Sequence, residues 1–187
     1  MKHAVSSYNT KKTLSTALKN AIKEKDFEKI SISEVASAAG LNRKTFYYHF
    51  NDLNELLFWT LDDGVLKITK NYDLANDYND TIHLAIEYFE KEHAFLYKIM
   101  NSNARGDFRV FLCANLREMT LKAIDDILAR DGKKIDEKYR VFAAGFCTEA
   151  IAGSIMWWVS HPNVCDSATM EKYLKRAYKI TLEDIIK

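Results

Sequence analysis

A dense run of cationic, hydroxyl and aromatic side chains lies between residues 43 and 49. It holds two cations, a hydroxyl, two phenols and an imidazole, namely Arg43, Lys44, Thr45, Tyr47, Tyr48 and His49. Lysine and arginine neutralise phosphates, while hydroxyl and imidazole groups hydrogen-bond to phosphate oxygens or base edges. Phe46 and Phe50 are four residues apart and would share the inward face of a helix, leaving the polar set outward. The run predicts contacts to DNA; the alternative is a solvated helix rich in aromatic residues.

Two short helices must position this run. Ser31 and Glu34 have the spacing of a capping box, in which a hydroxyl and a carboxylate each satisfy one backbone amide at a helix start. A helix should therefore begin at Ile32. Its predicted buried stripe consists of Val35, Ala36 and Ala39. The small side chain of Ala36 would let another helix cross closely, as in a helix-turn-helix.

Gly40 should end this helix, because glycine reaches the left-handed backbone conformation that often follows a helix without steric cost. Leu41 would fill the corner of the turn. Asn42 is a good N-cap for the next helix, predicted from Arg43 to Phe50, and is itself counted among the DNA-contacting residues.

The stretch from about Lys11 to Leu57 resembles the DNA-binding domain of TetR-type (TetR/AcrR) bacterial transcriptional regulators. The resemblance rests on a capped second helix, a glycine turn and an aromatic end of the third helix, at Ala36, Gly40-Leu41-Asn42, Thr45, Phe46, Tyr47 and Tyr48-His49-Phe50. It implies a DNA-binding transcriptional regulator and not an enzyme. More narrowly, it implies a ligand-responsive repressor that binds a pseudo-palindromic operator as a homodimer. The family commonly has a lysine at the start of the fourth helix, and residues 51–54 contain none.

The composition predicts an all-α fold. The chain has 187 residues, 48% of them apolar, with one proline and six glycines to interrupt helices. We expect about nine helices: a helix-turn-helix DNA-binding domain over residues 1–51, joined by a fourth helix to a regulatory and dimerisation domain over residues 52–187. Residues 1–50 carry nine Lys/Arg against four Asp/Glu, although the whole chain has a net charge of only +1. Such asymmetry is typical of a protein with one end that meets phosphate.

No continuous apolar stretch of bilayer-spanning length and no signal-peptide core are evident, so we expect a cytoplasmic protein without membrane association. Cys113, Cys147 and Cys165 are odd in number and widely spaced, which favours neither a disulfide framework nor a zinc site. We expect them to be small buried hydrophobes, and we expect no cofactor and no metal.

Apolar periodicity predicts the remaining helices. The first should begin near Asn9, with Lys11 and Lys12 at its start either solvated or in contact with phosphate. Asp52 and Glu55 have capping-box spacing at the start of the fourth. The expected spans are Asn9–Lys25, Asp52 to about Asn71, Thr81–Glu92, Phe95–Asn101, Asp107–Arg130, Glu137–His161 and Ala168–Ile186, with a polar patch at residues 71–80 and turns at residues 102–106 and 131–134.

The last two helices are predicted to form the dimer. Small residues on more than one face of Glu137–His161 would allow close helix approach, so we expect that helix to be buried all round. Two such helices from each subunit would make a four-helix bundle. The expected dimer residues are Phe142, Phe146, Ala150, Gly153, Trp157, Tyr173, Leu174, Ala177 and Tyr178.

A small inducer, if there is one, would bind among the middle helices. The candidate residues are Trp59, His83, Tyr88, Phe111, Arg117, Phe146 and Glu149. Of these, His83, Arg117 and Glu149 should be the polar side chains buried there. Plain core is the alternative for each aromatic residue.

Two rival functions remain open. Glu90 and His93, with Glu87 one turn earlier, have the E-x-x-H spacing of metal-binding helical enzymes, but no second such motif exists. Alternatively, a protein partner replaces the small ligand, as in activators of dihydroxyacetone kinase operons, which the run from Lys23 to Phe50 resembles. The absence of a cavity would favour this second rival.

Overall fold

Helices make up most of the residues that this computed structural model describes, which are residues 2–66 and 77–185. Nine α-helices and no strand occur among those residues, so the predicted all-α fold is confirmed. They are α1 Lys2–Glu24, α2 Ile32–Ala38, α3 Arg43–His49, α4 Leu53–Leu61, α5 Tyr78–Lys91, α6 His93–Met100, α7 Arg105–Asp131, α8 Glu137–Ser160 and α9 Ser167–Ile185. A 3-10 turn, Phe27–Lys29, precedes α2, and a π-helical turn, Asp62–Leu66, follows α4.

Backbone contacts divide the chain into two compact units. The first comprises Met1–Gly64 and Ala94–Phe108, and the second Val65–His93 and Arg109–Lys187. In the first unit α1 contacts α2, α3 and α4, and in the second α9 contacts α5 and α8. The functional boundary after residue 51 stays a prediction.

Helix α1 supplies the central stripe of the first unit. Leu14, Leu18 and Ile22 are fully buried along one face, as their spacing predicts. The helix begins at Lys2 rather than near Asn9. Tyr8, in the added turns, donates a hydrogen bond to the Asp63 carboxylate (2.9 Å), and its ring lies 5.9 Å from that of Trp59. These partners, distant in the sequence, stabilise the first turns of α1. The local apolar pattern does not predict those turns.

The helix-turn-helix forms as the sequence predicts. Both halves of the capping box are made, since the Ser31 hydroxyl accepts from the Glu34 amide (3.2 Å) and the Glu34 carboxylate accepts from the Ser31 amide (3.1 Å). Gly40 has φ +68°. Helix α3 ends at His49, one residue before the predicted end, because Phe50 already has an extended backbone.

The start of α4 differs in one detail from the predicted capping box. Asp52 accepts from the Glu55 amide (2.8 Å), as expected. The Glu55 carboxylate, however, accepts from the backbone N–H of Asn51 (2.7 Å) and from its side-chain amide (2.8 Å), not from Asp52. The predicted end near Asn71 and most of the polar patch lie outside the described residues.

The second unit is centred on helices α7, α8 and α9. Its buried cluster comprises Ala123, Ile124, Ile127, Leu128, Ala143, Ala144, Cys147 and Tyr178. Tyr78 stacks on Tyr178 with ring centroids 4.7 Å apart, which explains why α5 begins three residues before the predicted Thr81. Cys147 is buried as expected, whereas Cys113 and Cys165 are only half-buried; burial raises the thiol pKa of Cys147.

One sequence-based expectation for the second half of the chain is wrong, and another is not met within a single chain. Gly106 lies inside α7, which begins at Arg105, and not in the preceding turn. Helix α8 is not buried all round within the single chain, because Phe142 is 61% exposed and Phe146 is 52% exposed. Its small residues thus line one solvent-facing side as well as the core.

Helix α8 is also long and apolar enough to cross a membrane, which departs from the expectation that no stretch approaches that length. About half of its most apolar 18-residue window, 44%, is buried within the protein. Core helices satisfy the same length and composition test, so this property does not by itself indicate a membrane span.

Gly40→Ala should destabilise the protein by about 1 to 2 kcal/mol, because only its positive φ opposes a side chain. Open space surrounds a Cβ atom at Gly40 and equally at Gly106, which has no positive φ. Gly106→Ala is therefore the matched control and should stabilise by up to about 1 kcal/mol through helix propensity. Urea unfolding of both variants checks this; equal effects of the two substitutions would contradict the role assigned to the turn.

Candidate nucleic-acid interface

The outward face of α3 combines exposed cations with exposed phenols. Arg43 and Lys44 are exposed, Tyr47 is 49% exposed and Tyr48 is 83% exposed. Large aromatic side chains with this much exposure are uncommon on an unoccupied surface. Phe46, by contrast, is fully buried, and Phe50 is 3% exposed, so the predicted inward face is confirmed.

One of the predicted contact residues in the first turn of α3 is less open than expected. Thr45 is half-buried, and its hydroxyl donates to the side-chain oxygen of Asn42 (3.2 Å). The same Asn42 oxygen accepts from the backbone amide of Thr45 (2.9 Å) as the N-cap of α3. Asn42 therefore fixes the start of the helix, and its amide nitrogen is the atom with which it can donate to a phosphate.

Arg43 and Tyr47 form a pair one turn apart on α3. The Arg43 guanidinium donates to the Tyr47 phenol oxygen (3.3 Å) and lies 5.8 Å from the ring centroid. A guanidinium has five N–H donors, so this single bond leaves most of them for other acceptors. The pair places a hydroxyl beside the cation that begins the helix, an arrangement suited to phosphate oxygens.

His49 is half-buried at the opposite end of α3. Its Nδ1 atom lies 3.5 Å from the Ser7 hydroxyl of α1, and its ring meets that of Tyr48 edge to face at 4.9 Å. Burial, and after it the positive charge of Lys11, lowers the pKa of His49. Both effects favour the neutral imidazole, which has one N–H donor and one acceptor nitrogen.

Comparison with known protein families shows to which family the chain belongs. The profile described as bacterial regulatory proteins, tetR family, matches residues 15–58, and the profile of a transcriptional regulator C-terminal region matches residues 76–186. The chain belongs to the TetR family of transcriptional regulators. This TetR-family chain is accordingly a DNA-binding regulator and not an enzyme.

Solved structures with the same fold include an activator and a repressor. The dihydroxyacetone kinase operon activator DhaS superposes with a TM-score of 0.74 at 20% identity, over 94% of this chain and 96% of that one. Native NalD, the secondary repressor of the MexAB-OprM multidrug efflux pump in Pseudomonas aeruginosa, superposes with a TM-score of 0.63 at 19% identity, over 95% and 97%. At these identities the likeness shows the fold alone.

A curated relative is similar in sequence over part of its length. It is the HTH-type dhaKLM operon transcriptional activator DhaS of Lactococcus lactis subsp. lactis, 24% identical over 90 residues. The match spans 48% of this chain and 48% of that protein, so the TetR-family chain spans about half the length of the curated relative that it matches.

The E-x-x-H residues take part in helix packing. The Glu90 carboxylate accepts from the Ser167 hydroxyl (2.8 Å), and His93 Nε2 lies 3.1 Å from the Val159 carbonyl oxygen. Within residues 2–66 and 77–185 no group of three or more His, Cys, Asp or Glu side chains could hold a metal ion.

The polar ligand candidates are exposed, contrary to expectation. The side chain of His83 is 50% exposed, that of Glu149 is 54% exposed, and Arg117 is exposed as well. His83 Nδ1 lies 2.9 Å from the Glu171 carboxylate, and Glu149 pairs with Arg109. Charged groups remain near water because burial without a partner costs several kcal/mol.

The aromatic ligand candidates are dispersed. Trp59 is half-buried in the first unit, while Phe146 is exposed, Tyr88 is buried and Phe111 is half-buried in the second. An enclosed apolar cavity in the second unit measures about 70 Å³. None of the seven candidates lines it; its walls are Thr81, Ile82, Ala85, Ile86, Phe89, Leu116, Met119, Thr120, Ile151, Ile155, Leu174 and Tyr178. Pockets for drug-sized ligands measure about 300 to 1,000 Å³.

The predicted dimer residues mostly share one open surface. A groove of about 480 Å³ runs between α8 and α9 and is lined by Glu149, Ala150, Gly153, Ser154, Trp157, Met170, Tyr173, Leu174 and Ala177. Phe142 and Phe146 stack at 6.3 Å on the exposed side of α8. Tyr178 does not belong to this surface, because it is 6% exposed and packs in the core.

His83 should stabilise the TetR-family fold in acid more than in alkali. Its hydrogen bond to Glu171 raises the pKa of His83, so this contribution is full below the unfolded pKa of about 6.5 and is lost as pH rises through the folded pKa. Glu87 adds to this effect and Lys175 opposes it. Lys175 first, and then His83, lower the pKa of Glu171, so its own contribution is lost only in stronger acid.

The measurement is the melting temperature of wild type and His83→Gln at about pH 5.5 and about pH 8.5. The wild type should exceed the variant at the lower pH and converge with it at the higher. In a Glu171→Gln background the substitution should lose most of this pH dependence. An equal difference at both pH values would contradict the pairing.

Proposed function

We propose that this chain binds a pseudo-palindromic operator as a homodimer and regulates transcription from it. The observation that carries the proposal is the exposed Arg43, Lys44, Tyr47 and Tyr48 set on a helix whose opposite face is wholly buried. One helix-turn-helix contacts few base pairs, so two copies reading half-sites about 34 to 36 Å apart would supply specificity.

We assign different roles to the two kinds of side chain on α3. Thr45 and Tyr47 would bind phosphate oxygens, with Asn42 fixing the helix start and donating from its amide nitrogen. Base-edge and phosphate contacts would be divided among Arg43, Lys44, Tyr48 and His49. Tyr48 is 83% exposed, more than Tyr47, and is our first choice for a base contact.

The groove between α8 and α9 supports the proposed homodimer. Gly153 and Ala150 in its floor leave room for a partner helix, and Trp157 and Tyr173, 47% and 59% exposed, would be covered by it. Contributing α8 and α9 from both copies gives a four-helix bundle with two-fold symmetry. This arrangement would also bury the apolar side of α8, which otherwise faces water.

The proposal also concerns what controls DNA binding, a small inducer or a protein partner. A repressor released by a small inducer is the first candidate by family resemblance. The cavity of about 70 Å³ favours the second candidate, control by a protein partner, because it is several times smaller than an ordinary ligand pocket. Similarity to the DhaS activators supports the same alternative.

A cytoplasmic location without membrane association follows from the proposal, since the operator of a bacterial regulator lies in that compartment. The apolar side of α8 would then be covered by the partner copy rather than by lipid.

Tyr47→Phe should weaken DNA binding about thirtyfold, the equivalent of about 2 kcal/mol, because the dimer loses one hydrogen bond in each half-site. The loss should be equal on a promoter duplex and on an unrelated duplex, because a phosphate contact carries no sequence information. Tyr97→Phe, which removes a hydroxyl from a residue that is 40% exposed on α6, is the control. Fluorescence anisotropy titrations measure both. Unchanged affinity of the Tyr47 variant would overturn the docking described here.

Phe146→Glu should convert the dimer to a monomer, because two carboxylates would be forced into an apolar interface. Val110→Glu is the matched control, since Val110 is 67% exposed on α7 and lies outside the proposed interface. Sedimentation equilibrium reports the mass of each variant. A Phe146 variant that remains dimeric would exclude the α8 surface as the interface.

A further inference from the structure

Lys11 lies beside the last turn of α3, against two aromatic rings. Four other lysines of the first unit pair with carboxylates: Lys12 with Asp63, Lys25 with Glu34, and both Lys29 and Lys98 with Asp26. Across the described part of the chain no carboxylate pairs with Lys11. Its ammonium instead lies 5.3 Å from the ring centroid of Phe50 and 6.0 Å from that of Trp59.

The two aromatic rings hold this cation without neutralising it. Cation–π contacts attract an ammonium to the ring face but remove none of its formal charge. Phe50 and Trp59 also pack against each other, with ring centroids 6.1 Å apart, so they form a fixed platform. The carbonyl end of α3 favours a cation at the same place. The Lys11 ammonium is therefore restrained at the C-terminal end of α3.

Two further polar groups converge on that end. Ser7 precedes Lys11 by one helical turn, so both side chains project from the same side of α1. The Ser7 hydroxyl lies 3.5 Å from His49 Nδ1. Lys11 is also close enough to His49 for its charge to help lower the pKa of the imidazole. Lys11 thus supplies a positive charge beside two hydrogen-bonding groups, and this combination would stabilise an anion.

We propose that Lys11, Ser7 and His49 form a second binding site for a DNA backbone phosphate, at the C-terminal end of α3 and so opposite Arg43 at its first residue. The inference deepens the proposed function and rests on it. A seven-residue helix is about 10 Å long, and the major groove is about 12 Å wide. One end of α3 would thus contact each strand that borders the groove. Lys12, held by Asp63 at 2.6 Å, is structural.

The test compares the salt dependence of binding for Lys11→Met with that of wild type. Methionine keeps the apolar stem against Phe50 and removes the charge. Each lost phosphate contact lowers the slope of log K against log salt by about 0.9, so a dimer should lose about 1.8. Lys23→Met, at an exposed position of the same helix, is the control and should keep the wild-type slope. Lys11→Arg should restore the slope.

Titrations use a duplex from the promoter of the gene and an unrelated duplex of equal length. The Lys11 variant should lose affinity equally for both, as a backbone contact requires. A wild-type slope in that variant would overturn the inference while leaving the proposed function intact. Failure of the wild type to bind either duplex would overturn both.

A measurement without DNA tests the geometry separately. Removal of the Lys11 charge should raise the pKa of His49 in the free protein, followed by NMR of the imidazole protons. Lys23→Met should leave that titration unchanged. If the His49 titration is the same in the Lys11 variant and in wild type, the ammonium is not beside the imidazole and the site does not exist.

Discussion

The burial of Phe46 is the interaction on which the DNA-contacting surface depends. Helix α3 has seven residues, and isolated helices of that length are unstable in water. The fully buried ring of Phe46 contributes on the order of 1.5 to 3 kcal/mol and attaches the helix to α1 and α2. Because successive side chains on a helix are about 100° apart, fixing Phe46 inward also fixes the direction of Arg43, Tyr47 and Tyr48.

The parts of this arrangement that the sequence predicted are set by local chemistry. The Ser31–Glu34 box, the Asn42 cap and the left-handed Gly40 each involve groups within three residues of one another. Such interactions operate in nearly the same way in any fold, so residue type and spacing are sufficient to identify them.

The early start of α1 and the partial burial of His49 depend on residues that are distant in the sequence. No local sequence pattern predicts either feature. Asp63 is 55 positions from Tyr8, and Ser7 is 42 positions from His49. The same is true of Lys11 and Lys12, which are adjacent and chemically identical. Their different partners follow from the 100° between them on α1, which directs one towards Phe50 and the other towards Asp63. The sequence identifies both lysines as candidate phosphate contacts, but it does not show which of them pairs with a carboxylate instead.

Helix α8 shows a further limit of prediction from apolar periodicity. Its apolar residues occur on every side, so the sequence does not indicate which side faces solvent. Glu149 is exposed while neighbouring Thr148 is buried, and the apolar Phe146 is exposed while Cys147 is buried.

The packing of the second unit bears on how the protein could be controlled. Widening the cavity of about 70 Å³ to accept a ligand would separate close-packed side chains, and the ligand would have to offset that cost before it could favour either state. A partner that binds an existing surface bears no such cost, so the packing of the described residues of the second unit supports the proposed control by a protein partner.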